Sequence, residues 1–116
     1  MIATLVWSGF DSLVRSELRM PAYVIVEAEV SDEEVGSAYW RLAEPSIRQY
    51  GGRYLVATVP EVIEGAWPAA RRAVVLEFPD LDRVRTWYDS PEYSKAREVR
   101  KSGVEVRMVF ADGVLG

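Results

Sequence analysis

Apolar and polar positions first alternate regularly from Ala22 to Val30, AYVIVEAEV, where Val24, Val26, Ala28 and Val30 share one side and Tyr23, Ile25, Glu27 and Glu29 the other. This period of two predicts a strand with one apolar face and one mixed face. Ser31 follows with Glu34 three residues on, the spacing at which a hydroxyl and a carboxylate cap each other's backbone N–H groups. The pattern then changes to helical spacing, with Val35, Tyr39 and Leu42 as the expected buried stripe and Ala38 and Trp40 at its margins. Pro45 has no N–H to give the Arg41 carbonyl, so a kink or restart is expected there before the helix ends at Gly51-Gly52.

A second strand is expected from Arg53 to Val59, rich in β-branched and aromatic residues. Between Pro60 and Arg71, Gly65 and Pro68 suit either a long loop or a hairpin extension built on Val62-Ile63-Glu64. The next stretch, RRAVVLEFPDLDRVRTWYDSPEY from Arg71 to Tyr93, organises the rest of the chain. It predicts a strand over Ala73 to Phe78, with Val74, Leu76 and Phe78 opposite Ala73, Val75 and Glu77. A helix capped by Asp80 follows, carrying Leu81, Val84, Trp87 and Tyr88 at helical spacing, and then a helix capped by Ser90 with Pro91 in its first position. Gly103 ends that helix. Val104, Val106, Met108 and Phe110 then alternate with Glu105, Arg107 and Val109. The order strand, helix, strand, strand, helix, strand makes two split βαβ units. It predicts an α+β ferredoxin-like domain with helices on one face of a four-stranded antiparallel sheet.

Ahead of this domain, Ile2, Val6, Phe10, Val14 and Leu18 recur every four residues, although Gly9 interrupts the series. Residues 1–20 are expected to form an extension, as an extra packing helix or a poorly ordered segment, to a domain spanning 21–116. Met20 can therefore serve as an alternative start. The apolar run from Ile2 to Trp7 lacks a basic flank and is too short for a signal peptide or membrane span.

At 116 residues the chain has the length of one domain with one core. Its 14 basic and 18 acidic residues give a net charge of −4, which argues against a nucleic-acid partner whose phosphates must be neutralised. The absence of cysteine and histidine removes disulfides, thiolate nucleophiles, imidazole acid-base chemistry and thiolate or imidazole metal sites. No metal site and no cofactor is expected, and a chain without cysteine suits the cytoplasm.

The segments PAYVIVEAEV, GGRYLVATVPEVIEGAW and above all AVVLEFPDLDRVRTWYDSPEYSKAREVR resemble the domain-of-unknown-function family 1330, a branch of the dimeric α/β-barrel superfamily. The resemblance covers Pro21 to Asp112. It implies a ferredoxin-like fold whose open sheet faces pair in a homodimer, and it implies no established reaction. The superfamily includes cofactor-free monooxygenases, a lactone isomerase and haem enzymes, so the fold alone does not select a chemistry.

Alternation places Tyr23, Glu27, Glu77 and Arg107 on the sheet face away from the helices. With the fourth, first and third strands adjacent, Arg107, Glu27 and Glu77 are expected in one row. Two carboxylates beside a guanidinium would have their pKa values pushed apart and could act as general acid and base; the alternative is a structural ion pair at a dimer seam. Glu64 and Trp67 are candidates to close over that cleft, and Tyr88, Tyr93 and Arg97 to reach a ligand, although Trp67, Tyr88 and Tyr93 also suit a packing role. The resulting reading is a homodimeric α/β-barrel protein that binds a small organic molecule, with cofactor-free acid-base or oxygenase chemistry as its enzymatic form. The rival is a non-catalytic ligand-binding or structural dimer. An RNA-recognition role is disfavoured because VVLEF carries its one aromatic, Phe78, on the side opposite Val75 and Glu77.

Overall fold

The computed structural model describes residues 20–114. Its elements are β1 (Ala22–Val30), α1 (Glu33–Gln49), β2 (Arg53–Thr58), β3 (Arg72–Phe78), α2 (Leu81–Tyr88), α3 (Pro91–Arg100) and β4 (Val104–Asp112). The strands form one antiparallel sheet in the order β2-β3-β1-β4 with all three helices on one face, the ferredoxin-like arrangement that the alternation predicts. The expected N-terminal extension, as a packing helix or a poorly ordered segment, lies outside the described residues apart from Met20.

The period of two sets what each face of the sheet carries. Val24, Val26 and Ala28 of β1 are buried under the helices with Leu76 and Phe78 of β3, while Ile25 and Val109 of the opposite face are 45% and 58% exposed. Across that open face, Val56, Val75, Ile25 and Val109 stand in register as one apolar row spanning all four strands.

The core centres on Trp87, whose ring lies 4.0 Å from that of Tyr93 and 5.2 Å from that of Phe78, all three being fully buried. Its indole N–H donates to Ser46 Oγ at 3.1 Å, and Ser46 donates in turn to the Ala43 carbonyl at 2.7 Å. One side chain thereby ties α2 to the C-terminal half of α1. The link between α1 and β2 is equally constrained: Gly51 has φ 86°, and a Cβ on Gly52 would fall 2.5 Å from Phe78 Cζ.

Three details depart from the sequence expectation. Asp32 caps α1, its carboxylate accepting from the Glu34 and Val35 N–H groups, while the Ser31 hydroxyl donates to the Gly103 carbonyl. A carboxylate at the positive end of the helix outcompetes the hydroxyl. Pro45 lies inside a continuous α1, where Arg41 and Pro45 are both exposed, so the Arg41 carbonyl that lacks an N–H partner is on the solvent side of the helix. The buried stripe of α1 is Ala43, Ser46 and Ile47, with Leu42 38% exposed, so the helix packs through its C-terminal half. Residues 59–71 form the long loop rather than a hairpin extension. The caps at Asp80 and Ser90 form as expected, accepting from the Arg83 and Tyr93 N–H groups at 2.8 Å and 3.1 Å.

Replacing Ser46 with Ala is expected to leave the Trp87 indole N–H buried without a partner and to cost about 1–3 kcal/mol. A denaturant-unfolding midpoint that does not move would show the bond to be unimportant.

Candidate functional site

Because α1 is anchored through its C-terminal half, its N-terminal half bridges the sheet without filling the space beneath. Near the start of the helix, Gly36 lies so close to Val30 that a Cβ would fall 2.9 Å from Val30 Cγ1. Between that contact and Ile47 lies a cavity of about 480 Å³. Its floor is Val26, Ala28, Val74 and Val106 of the sheet, and Trp87 closes its inner end.

Two aromatic groups shape the walls. Trp40 of α1 leans on Tyr54 of β2, with ring centroids 4.7 Å apart and planes at 31°, and so closes the side toward the sheet edge. Opposite, the Tyr39 hydroxyl lies 2.7 Å from that of Tyr93, which accepts from Arg100 Nη1 at 2.6 Å. Arg100 also lies over both rings, 5.6 Å from the Tyr39 centroid and 5.8 Å from that of Tyr93. A phenol on the cavity wall is thus linked through a second phenol to a guanidinium.

The Tyr93 hydroxyl is a hydrogen-bonding group rather than a base. Burial pushes the Tyr93 phenol well above its ordinary value of 10.0, with the neighbouring Tyr39 adding to the effect and Arg100 opposing it. Burial likewise raises Tyr54, with smaller contributions from Tyr39 and Glu44. Both phenols are neutral at physiological pH. At the rim stand exposed polar side chains: Glu33, Ser37 and Arg41 from α1, and Arg72 from β3.

None of the candidate catalytic or ligand-binding residues expected from the sequence lines this cavity. The expected row of Arg107, Glu27 and Glu77 divides into two clusters on the open face. Glu77 is opposite Tyr23 and Glu27 is opposite Arg107 and Ala73, which separates the carboxylates by four positions, roughly 13 Å along the strands. Alternation assigns a face correctly but is silent on where two strands align. Glu77 accepts from Arg53 Nε at 2.9 Å and from the Tyr23 hydroxyl at 3.1 Å, and the latter bond holds the Tyr23 phenol above its ordinary value. Glu27 lies 3.6 Å from Arg71 Nη1 and 4.0 Å from Arg107 Nη1.

Arg71 organises the second cluster. It is 7% exposed, and its Nη2 lies 2.8 Å from Glu29 and 3.6 Å from Glu105. The sequence signal for it was its place one step before β3, which puts it on the open-face side of the alternation beside Glu29. Trp67 belongs to the same corner, its indole N–H donating to the Arg71 carbonyl at 2.9 Å, while Glu64 is exposed on the loop. Tyr93 is core. Tyr88 borders a smaller recess of about 260 Å³ with Met108 and Phe110, and Arg97 lies 4.3 Å over its ring.

A four-stranded antiparallel sheet with its described helices on one face, a cavity beneath them and a second face that the described residues leave open defines the chain as a ferredoxin-like α+β protein. It belongs to the family described as Domain of unknown function (DUF1330), which matches residues 21–114. Among solved structures it is similar to a protein of unknown function from Rhodopseudomonas palustris, with a TM-score of 0.70 and 15% identity over 93% of this chain and 94% of that one. It is also similar to SnoaB, a cofactor-independent oxygenase from Streptomyces nogalater, with a TM-score of 0.61 and 7% identity over 84% of this chain and 96% of that one. At these identities the likeness is one of fold. None of the curated proteins matches the chain in sequence. Among the described residues no helix is long and apolar enough to cross a membrane.

The raised phenols carry a pH dependence with a definite sign. Above the ordinary tyrosine value of 10.0 the unfolded chain releases protons that folded Tyr54 and Tyr93 retain, so stability is full below that pH and falls as pH rises through it. Tyr54→Phe is expected to make the loss of stability between about pH 9 and about pH 11 shallower. Unfolding midpoints with the same slope as the wild type would contradict this.

Proposed function

We propose that the protein is a homodimer that binds a small, partly apolar organic molecule in the cavity between α1 and the sheet. The observation that carries the reading is the cavity itself. Its volume of about 480 Å³ falls in the range of small-molecule sites, and its apolar floor, aromatic wall and few convergent polar groups have the composition of such sites. The resemblance of the fold to a cofactor-independent oxygenase makes oxygenase-type chemistry the enzymatic form of the reading. Acid-base catalysis by a carboxylate pair has less support. Glu27 and Glu77 face the other side of the sheet, Glu33 is the one carboxylate among the described residues on the cavity wall, and the neutral Tyr54 phenol can donate a hydrogen bond to a ligand oxygen but does not abstract a proton. For Glu27, Glu77 and Arg107 the reading adopted is an ion-paired seam.

The open face supports dimerisation. The row Val56, Val75, Ile25 and Val109 presents a continuous apolar stripe flanked by the Arg53–Glu77 pair on one side and the Arg71 cluster on the other. Such a stripe is stabilised by burial against a second copy.

Val109→Lys is expected to convert the dimer to a folded monomer in sedimentation velocity; a wild-type chain that is already monomeric at micromolar concentration would remove the dimer from the proposal. For the cavity, Ala57→Trp places an indole on the helix face of β2, opposite Val74. A panel of small aromatic and branched aliphatic compounds is expected to yield ligands that stabilise the wild type, by about 2.7 kcal/mol at a hundredfold excess over Kd, and not the filled variant. A panel with no ligand, or ligands that stabilise both proteins equally, would sink the cavity as the site.

A further inference from the structure

The arginines of the described chain differ in one respect that bears on the cavity. Arg48, Arg53, Arg71, Arg85 and Arg107 each pair with a carboxylate. Arg83 donates to the Tyr50 carbonyl, Arg97 to the Ser94 hydroxyl and Arg100 to the Tyr93 hydroxyl. The side chains of Arg41 and Arg72 have neither an ion pair nor a hydrogen bond among the described residues, and both residues line the cavity rim.

They come from different layers, Arg41 from α1 and Arg72 from the first position of β3, so the two residues flank the opening from the helix side and the sheet side. Among the described residues Glu33 is the one carboxylate that lines the same cavity, and it pairs with neither. A chain of net charge −4 whose other described arginines each pair with a carboxylate or donate to a neutral oxygen therefore leaves a local excess of positive charge at the mouth of an apolar pocket.

We infer that the ligand is an amphipathic organic anion, an aromatic or branched apolar carboxylic acid, whose carboxylate is held at the rim by Arg41 and Arg72. This rests on the proposed cavity site and names its ligand class. Guanidinium presents a planar fork of donors that matches a carboxylate, and charge-assisted bonds of this kind fix orientation as well as affinity. The apolar body then lies over Val26, Val74 and Val106 against Trp40 and Tyr54, and the far end of the ligand meets the Tyr39 hydroxyl. The charge sets the orientation, so any reacting carbon lies at the buried end, away from the carboxylate.

The test compares naphthoate with naphthamide, two probes of nearly equal shape that differ in charge, by isothermal titration of the wild-type protein. Naphthoate is expected to bind at least about tenfold more tightly, and its advantage to fall as salt is raised. The double variant Arg41→Gln/Arg72→Gln, checked for an unchanged melting temperature, is expected to lose that advantage while still binding naphthamide. Arg48→Gln, on the same helix but away from the cavity, is expected to retain it. Equal binding of both probes, or an advantage that survives in the double variant, would overturn the carboxylate inference and leave the cavity reading standing. Failure of both probes to bind the wild type, or equal binding to Ala57→Trp, would overturn both.

Discussion

Trp87 is the contact on which the rest of the arrangement depends. It is buried at the meeting point of α1, α2, α3 and the sheet, stacked on Tyr93 and against Phe78, and bonded through its N–H to Ser46. A large aromatic ring contributes several kilocalories of burial, and its polar edge must also find a partner, so the side chain fixes position as well as energy. Its partner sits in the second half of α1, and the helix is therefore clamped at that end. What lies toward the other end is a bridge over the sheet, and the cavity is the space under the bridge. Packing and site arise from the same contact.

The two faces of the sheet then divide the chemistry between them. Charged side chains of the strands collect mainly on the open face, where Arg53 satisfies Glu77, and Arg71 satisfies Glu29 with Glu27 and Glu105 nearby. A buried guanidinium such as Arg71 is costly unless several carboxylates surround it, which accounts for that concentration of acids at one corner. The helix face has apolar strand residues almost throughout. The charged exceptions among the described residues are Asp112, at the end of β4 opposite Ala22, and Arg72, at the rim, whose side chain faces a pocket rather than a partner. Adjacent arginines thus have opposite roles: one is a buried organiser of the open face, the other an available cation on the cavity side, and the period of two separates them.

The aromatic residues divide in the same way. Trp87, Phe78 and Tyr93 hold the layers together, while Trp40, Tyr54 and Tyr39 are set around empty space. Tyr39 joins the two groups through its contact with Tyr93 and hence with Arg100, so the wall of the cavity is fixed to the core rather than carried on a loop. Walls built on a helix and a strand hold their geometry better than loop-borne ones, and that suits a site which recognises shape.

The sequence by itself determined the elements and their faces. Ala22 to Val30 and Val104 to Phe110 alternate, Asp80 and Ser90 cap, and Pro91 starts a helix, because each of these rests on interactions within a few residues along the chain. The family resemblance followed from the same local patterns and fixed the topology. Tertiary structure decided the rest. Glu27 and Glu77 share a face but not a row, since register depends on how two strands pair and not on either alone. Leu42 and Trp40 read as members of a helix stripe, yet the buried stripe lies at Ala43, Ser46 and Ile47, since the clamp at Trp87 chooses which part of the helix touches the sheet. The cavity left no mark in the sequence for the same reason: a void is a property of how far one layer stands from another, and no periodicity within a layer records that distance.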